Sequence, residues 1–145
     1  MLVAGAFDLI HPGHIKMLEE AKKLGGKDSR LVVVIARDET VKMNKGRDPI
    51  FDEAMRRYMV SMLKPVDEAI LGYKPPSFEK VIEKVKPDIV VFGYDQEELM
   101  EKFKRFCEEK GVRVEIRKAE RYSLGRLNSS SDILKRILDM LGDKG

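Results

Sequence analysis

The sequence predicts a single α/β domain built around a parallel β-sheet. Five short apolar segments, rich in Val, Ile and Leu, alternate along the chain with longer segments of helical periodicity. The apolar segments lack the strict polar alternation of a half-exposed strand, which indicates strands that are buried on both faces. Such strands, alternating with helices, are typical of a sheet covered by helices on both sides. The 145 residues suit one domain, residues 1–145, with a core of ordinary size.

The first half of the chain contains three of the five predicted strands, at residues 2–4, 31–36 and 68–71. A stripe of apolar side chains predicts a helix between the first two strands (Ile15, Leu18, Ala21 and Leu24). Residues 37–49 are predicted as a long polar loop. Asp52 is a favourable N-cap for the next helix, which presents four apolar positions (Met55, Met59, Val60 and Leu63).

The second half supplies the remaining strands, at residues 89–92 and 112–116. Ser77 predicts the start of a helix with an apolar stripe (Phe78, Val81, Ile82 and Val85). The next stripe places the single cysteine in the core (Leu99, Met100, Phe103, Phe106 and Cys107). The last helix repeats that spacing (Ile133, Leu134, Ile137, Leu138 and Leu141). Residues 118–128 form a second long polar loop, and long loops in a compact domain are more often functional than idle.

Composition excludes several classes of protein. One cysteine permits no intramolecular disulfide, and with two histidines it cannot supply four Cys/His zinc ligands. The formal charge of +3 comes from interspersed residues, so nucleic-acid binding is not predicted. No apolar stretch approaches the ~20 residues that span a bilayer, and the first residues do not resemble a signal peptide. We therefore expect a cytoplasmic protein without membrane partners.

The strongest functional motif follows the first predicted strand. Residues 5–14, GAFDLIHPGH, contain both histidines of the chain, His11 and His14. A helix that begins here places the two histidines on one side of its first turn, where backbone N–H groups and the helix dipole favour anions. The alternatives are a helix cap with an incidental surface histidine, or a His-x-x-His metal pair, for which no third nitrogen or sulfur ligand is nearby.

This segment matches the HxGH signature of the nucleotidyltransferase superfamily, and most of the chain resembles its cytidylyltransferase-like members. Within that group it is most similar to the archaeal-type FAD synthases. The resemblance implies a Rossmann-like, doubly wound sheet of order 3-2-1-4-5. It also implies that His11 and His14 contact nucleotide phosphates and stabilise the transition state, with further nucleotide contacts from the same turn (Gly5, Ala6, Phe7 and Gly13). The family often has Thr or Ser where this chain has Ala6, so a hydroxyl contact is lost there.

The basic residues after the second strand resemble the family's mobile phosphate-binding loop. By that resemblance Lys45 is the first candidate for a catalytic lysine, and Lys42 is the second, as a contact to the acceptor phosphate. Arg56, after the acidic Glu53, matches a family arginine at the acceptor phosphate. The alternatives are a solvated charged loop and, for Arg56, a surface ion pair.

Two further segments resemble nucleotide-binding motifs of the superfamily. Gly93-Tyr94-Asp95 follows the fourth strand, and the resemblance makes Asp95 a nucleotide or metal contact. The serines before the last helix resemble the Ser/Thr-rich motif that binds the triphosphate (Ser129, Ser130 and Ser131), with Arg121 or Arg126 as the accompanying arginine. The alternatives are a glycine turn with a helix cap, and a capped helix alone.

The resemblance implies transfer of AMP from ATP to FMN, giving FAD and pyrophosphate, with Mg²⁺ or another divalent ion. Such chemistry needs no general base, because a phosphate monoester with a second pKa near ~6 is already anionic at neutral pH. Glycerol-3-phosphate cytidylyltransferase, which uses CTP, is the alternative activity, and a non-catalytic nucleotide-binding domain is the alternative of another class. Three segments favour FMN: RDxTV, KGRxPI and GYDQ. Related enzymes are commonly homodimers, which is expected here.

Overall fold

The computed structural model describes residues 1–121 and 129–142. Within them, five parallel strands form one sheet in the order β3-β2-β1-β4-β5. The strands are β1 (Leu2–Gly5), β2 (Val32–Ile35), β3 (Glu68–Leu71), β4 (Ile89–Phe92) and β5 (Glu115–Lys118). The predicted α/β class and strand order are therefore confirmed.

Six helices accompany this sheet within the described part of the chain. They are α1 (Pro12–Leu24), α2 (Asp38–Lys45), α3 (Glu53–Ser61), α4 (Phe78–Val85), α5 (Glu97–Lys110) and α6 (Ser130–Gly142). Among the residues that the structure describes, no helix is long and apolar enough to cross a membrane.

The core lies on both faces of the sheet. Consecutive strand residues point to opposite sides, so Leu2 and Val34 pack in one apolar cluster while Val3 and Val33 pack in the other. Helices α1 and α3 cover one face, and α4 and α5 cover the other, where Cys107 is buried. Burial on both sides explains why the strand sequences are continuously apolar rather than alternating.

The loop predicted at residues 37–49 is mostly helix α2. Apolar periodicity is absent because Val41 is the only buried residue of this short helix. The helix is favoured instead by its charges, since Asp38 and Glu39 lie in its first turn and Lys45 in its last. Gly46 ends it in the left-handed conformation (φ 71°), where a glycine carries no steric penalty.

The fifth strand lies further along the chain than predicted, at residues 115–118 rather than 112–116. Val112 and Val114 pack against the apolar cluster before the strand begins. Pairing with β4 starts only at Glu115, whose N–H donates to the Asp88 carbonyl at 2.9 Å. Because β5 is an edge strand with exposed charged residues, its apolar content does not mark its position.

Candidate active site

The site lies where the two central strands separate. β1 pairs with β2 over four residues but with β4 over only two, at Leu2 and Val3. Beyond that point the carboxyl ends of β1 and β4 diverge, which is where a doubly wound sheet binds its ligands. The Gln96 side chain spans the gap, because its Nε2 donates to the Ala4 carbonyl (3.1 Å) and its Oε1 accepts from the Gly93 N–H (2.7 Å).

The turn after β1 has a strained backbone. Phe7 adopts φ 52°, a left-handed conformation that is uncommon for a bulky residue. Its ring lies against Gly5, where an added Cβ would come within 2.8 Å of the ring. The ring also lies 5.2 Å from the His14 ring, centroid to centroid. A side chain at position 5 would therefore displace the buried Phe7 ring, which closes this side of the site.

His11 and His14 cap helix α1 with their own ring nitrogens. His11 Nδ1 accepts from the Gly13 N–H (3.2 Å), and His14 Nδ1 accepts from the His11 N–H (3.3 Å). The two ring centroids lie 3.9 Å apart. Histidine thus replaces the usual Ser/Thr and Glu of a capping box. Both histidines cap the helix, but neither is an exposed surface residue. The cap contacts use Nδ1 and leave Nε2 of each ring available for another partner.

Both imidazoles are held in the neutral form. Burial, together with the neighbouring His11 and Lys45, lowers the pKa of His14 to about 3. Burial also lowers the pKa of His11, against the opposing effect of Asp132 and Asp95. Because each Nδ1 accepts a hydrogen bond, the proton of each neutral ring resides on Nε2. The pair therefore offers two Nε2–H donors without a fixed positive charge.

Arg56 is fully buried, and it does not line the pocket that holds the histidines. Its guanidinium donates to the Ala6 carbonyl (2.9 Å), the Phe51 carbonyl (2.9 Å) and the Asp38 carboxylate (2.7 Å). All three nitrogens are thereby occupied inside the protein. The structure thus places this arginine as a link between the first turn, α2 and α3, and neither at the pocket nor in a surface ion pair.

The two candidate lysines occupy different positions on α2. Lys45 is exposed and lines the pocket with the histidines. Lys42 does not line it, and its ammonium lies 3.8 Å from the Asp48 carboxylate in an exposed pair. The geometry therefore favours Lys45 over Lys42 as the lysine that reaches a ligand.

The segment after β4 contributes a ring and a carboxylate. Tyr94 and Asp95 both line the pocket. Arg121 does not line it, but its guanidinium carbon lies 5.4 Å from the centroid of the Tyr94 ring, a cation–π contact. Arg126 lies outside the described residues.

The serines at the start of α6 have different surroundings. Ser130 is buried, lines the pocket, and its Oγ accepts from the Leu9 N–H of the first turn at 3.4 Å. Ser129 also lines the pocket, and its Oγ accepts from the Asp132 N–H (3.1 Å) as an N-cap. Ser131 is exposed and outside the lining. The N-terminus of α6 thus faces that of α1 across the crevice.

The pocket at the strand ends has a volume of about 220 Å³. It brings together ten of the predicted residues (Gly5, Ala6, Phe7, His11, Gly13, His14, Lys45, Asp95, Ser129 and Ser130). A larger groove of about 660 Å³ lies at the opposite ends of the strands and contains none of these residues. Two helix N-termini, two Nε2–H donors and a lysine make the smaller pocket suited to phosphates rather than to a whole enclosed nucleotide.

No group of three His, Cys, Asp or Glu side chains within residues 1–121 and 129–142 could hold a metal ion. Mg²⁺ commonly binds to substrate phosphates with only one or two carboxylates from the protein. Asp95 and Glu120 are the carboxylates that line the pocket, so the donor set fits a metal that arrives with a nucleotide.

Two residues that sequence reasoning did not select hold the site together. Asp8 is buried, and its carboxylate accepts from the N–H groups of Ile50 (2.8 Å) and Phe51 (2.9 Å). Gln96 bridges β1 and β4 as described above. In the sequence, Asp8 is an acidic residue in an otherwise apolar part of the GAFDLIH turn. This position could have indicated a buried carboxylate that needs hydrogen-bond partners. Gln96 gave no comparable signal.

Comparison with known proteins gives a consistent result. A family model described as cytidylyltransferase-like matches residues 2–136. The FAD synthase of Methanopyrus kandleri is 48% identical over 140 residues, which cover 97% of this chain and 92% of that protein. The FAD synthases of Methanothermobacter thermautotrophicus and Thermoplasma acidophilum are each 46% identical over 99% of this chain and cover 94% and 97% of their own lengths.

Two solved structures share the fold. A lipopolysaccharide core biosynthesis protein from Thermoplasma volcanium GSS1 superposes with a TM-score of 0.71 at 44% identity, covering 84% of this chain and 96% of that one. A protein with unknown function from Archaeoglobus fulgidus gives a TM-score of 0.67 at 25% identity, covering 88% and 94%.

Proposed function

Because this chain belongs to the cytidylyltransferase-like family, we propose that it transfers AMP from ATP to FMN, giving FAD and pyrophosphate. The observation that carries the proposal is the histidine pair at the start of α1, with Nε2–H donors beside Lys45 in a phosphate-sized pocket. The choice of FMN and ATP is supported by the FAD synthases that match this chain over 92–97% of their lengths.

The reaction requires alignment and charge neutralisation rather than acid–base chemistry. A phosphate oxygen of FMN, already anionic at neutral pH, attacks the α-phosphorus of ATP and forms the new P–O bond. The bond between the α-phosphorus and the oxygen bridging to the β-phosphorus breaks, and pyrophosphate leaves with the electron pair. Catalysis of such a step consists of positioning and of stabilising the developing charge.

His11 and His14 provide the central donors in this scheme. Because the rings are already neutral, their Nε2–H groups donate hydrogen bonds to phosphate oxygens without any change of protonation. The Nδ1 contacts fix the orientation of both rings. Lys45 supplies a positive charge to the leaving phosphates. The N-terminal N–H groups of α6, with Ser129 and Ser130, bind the triphosphate. Asp95 contacts the nucleotide or its metal ion.

The remaining predicted contacts have supporting roles in this proposal. Lys42 and Ser131 lie outside the pocket lining, and Arg121 acts through the Tyr94 ring that it covers. Arg56 shapes the turn through the Ala6 carbonyl. Mg²⁺, when bound with ATP, supplies further charge neutralisation, and Asp95 and Glu120 are the residues that would hold it.

Purified protein incubated with Mg²⁺ and each pairing of ATP or CTP with FMN or glycerol 3-phosphate tests the proposal. We expect FAD, with an equal amount of pyrophosphate, from ATP and FMN. CDP-glycerol formed from CTP and glycerol 3-phosphate, without FAD from ATP and FMN, would overturn it. Nucleotide binding without any pyrophosphate release would instead identify a non-catalytic binding domain.

We also propose a homodimer that forms through α3. Met55 and Tyr58 on this helix are 53% and 60% exposed, and Met62, which caps its C-terminus, is 66% exposed. Ile50 is 54% exposed just before the helix. Apolar stripes of this size on a small domain mark interaction surfaces, in which Met and Tyr are enriched. The cytoplasmic location remains a prediction from the sequence.

A further inference from the structure

Helix α2, which carries Lys45, is fixed at its first turn but not at its last. At the start, the Asp38 N–H donates to the Glu53 carboxylate (3.0 Å), and the Asp38 carboxylate pairs with buried Arg56 (2.7 Å). At the other end, the contact of Lys42 with Asp48 is long and exposed. Contacts made by the segment that follows Lys45 therefore bear on the position of this lysine.

That segment is attached to the first turn through Asp8. The fully buried Asp8 carboxylate accepts from the N–H groups of Ile50 and Phe51. Arg47 approaches the same carboxylate, with Nη1 at 3.5 Å from Oδ2. Only Gly46 separates Arg47 from Lys45, so the position of Arg47 on Asp8 limits where the lysine can lie.

The contact between Arg47 and Asp8 is only half formed. An N–H donor to a carboxylate normally lies at 2.7–2.9 Å, whereas this one lies at 3.5 Å. Among the described residues, the second nitrogen, Nη2, is buried and has no hydrogen-bond partner, whereas Nη1 also donates to the Asp48 carbonyl at 3.4 Å. Orphaned buried donors are rare in native structures and call for an explanation. Each carboxylate oxygen can accept more than one hydrogen bond, so Asp8 has capacity for a two-pronged pair.

We propose that Arg47 is a positioning residue for nucleotidyl transfer. It forms an ion pair with Asp8 and thereby sets the position of Lys45 relative to the histidines. Asp8 and His11 belong to the same turn. The pairing of Arg47 with Asp8 therefore sets the position of Lys45 relative to the histidines. Phosphate in the pocket draws Lys45 inward, and the Arg47 fork then pairs fully with Asp8. The inference rests on the proposed function for its kinetic measurement.

A double-mutant cycle tests whether Arg47 acts through Lys45. In the otherwise unchanged protein, we expect Arg47→Met to lower kcat for FAD formation by about tenfold to a hundredfold, as small displacements of a catalytic group do. In a Lys45→Met background the same change should alter kcat less than twofold, because the positioned group is gone. Arg47→Lys, which keeps the charge but has no fork, should recover only part of the loss.

Arg57→Met is the matched control, since it removes the same charge from an exposed position on neighbouring α3 and should leave kcat unchanged. Equal losses from Arg47→Met in both backgrounds would overturn the inference. So would a lowered melting temperature with unchanged kcat, which would indicate a merely structural contact.

Calorimetry separates this inference from the proposed function. If the unchanged protein forms no FAD, the proposed function fails, and affinity for ATP with Mg²⁺ becomes the measurement. Weaker binding in Arg47→Met only when Lys45 is present would support the inference, and equal weakening in both backgrounds would overturn it.

Discussion

Each histidine of the site uses its two ring nitrogens for different purposes. Nδ1 closes the start of α1, where it replaces the oxygen of an ordinary capping residue. In the proposed function, Nε2 of each ring donates to the phosphates. Folding and ligand binding therefore depend on separate atoms of one side chain, and substitutions can separate them.

His14→Asn should abolish most activity while leaving the fold intact. Asn Oδ1 can take over the hydrogen bond from the His11 N–H, but it offers nothing in place of Nε2. We expect kcat to fall about a hundredfold or more, as for other lost transition-state donors, and the melting temperature to change little. His14→Gln, whose amide lies closer to the Nε2 position, is the comparison and should retain more turnover. Wild-type turnover in His14→Asn would refute the phosphate role.

The lowered pKa of His14 makes stability depend on pH. The folded ring resists protonation down to pH about 3, whereas the unfolded ring binds a proton below its ordinary value near 6.5. Stability is therefore complete above pH 6.5 and decreases as the pH falls below it. Between pH 7 and 5 we expect a loss of about 1–2 kcal/mol, allowing for partial exposure of the ring.

Denaturant unfolding at pH 7, 6 and 5 measures that loss. Glu53 and Asp67, whose pKa values are lowered from 4.5 and 3.8, contribute little to the pH dependence in this range. His14→Asn, which keeps the cap but cannot titrate, should show a flatter profile. An equally steep profile in this variant would contradict the assignment.

Sequence reasoning found single residues where a local motif carried their chemistry. His11 and His14 follow from their spacing at one predicted turn, and Lys45 follows from the resemblance of its segment to the family's phosphate-binding loop. The structural roles of Asp8 and Gln96 depend on partners 42 to 92 residues away, and no local pattern indicates such distant hydrogen bonds. For Arg56, the sequence indicates only the positive charge. Its burial depends on packing between α2, α3 and the first turn, which no local pattern indicates.

At the scale of elements, burial on two faces made the strands recognisable and left the small exposed helix unrecognised. The first four strands were found because each is almost entirely apolar. Helix α2 was missed because no apolar stripe marks it. The sequence features that favour it are acidic residues in the first turn, lysines in the last turn and Gly46 at the C-terminal cap. Edge strand β5 was misplaced because Val112 and Val114 pack before pairing begins.

The start of α6 allows an element-scale prediction. Ser130→Ala removes the only oxygen that the structure shows joining this helix to the Leu9 N–H, and it leaves that N–H short of a partner. We expect a several-fold higher KM for ATP and a stability loss of about 1 kcal/mol. Ser131→Ala, at an exposed neighbouring position, should alter neither. Equal effects of the two substitutions on KM would show that α6 is not oriented by Ser130.

At the scale of the whole molecule, two of the described helices each expose more than one large apolar side chain. One is α3, and the other is the second half of α6, where Leu138 and Leu141 are exposed. Helix α3 has one side in the core and another side exposed. Val60 belongs to the core, whereas Met55 and Met62 face outward, so one helix contributes to both surfaces.

Light scattering distinguishes the two exposed faces. We expect the unchanged protein to be a dimer and Met62→Lys to be a monomer, because a lysine cannot be buried unpaired in an apolar interface. Leu138→Lys on α6 is the matched control and should remain dimeric. A monomeric wild-type protein, or dissociation caused only by the α6 substitution, would contradict an α3 interface.

The Gln96 bridge has a mechanical consequence for the crevice. Where β1 and β4 stop pairing, one amide side chain replaces the missing backbone hydrogen bonds with two of its own. It therefore acts as a spacer of fixed length between the strand ends. Its two hydrogen bonds satisfy the Gly93 N–H and the Ala4 carbonyl, which would otherwise lack partners here. The width of the opening is encoded in the length of one side chain, so a shorter or longer residue there would resize the entrance without any change in the strands.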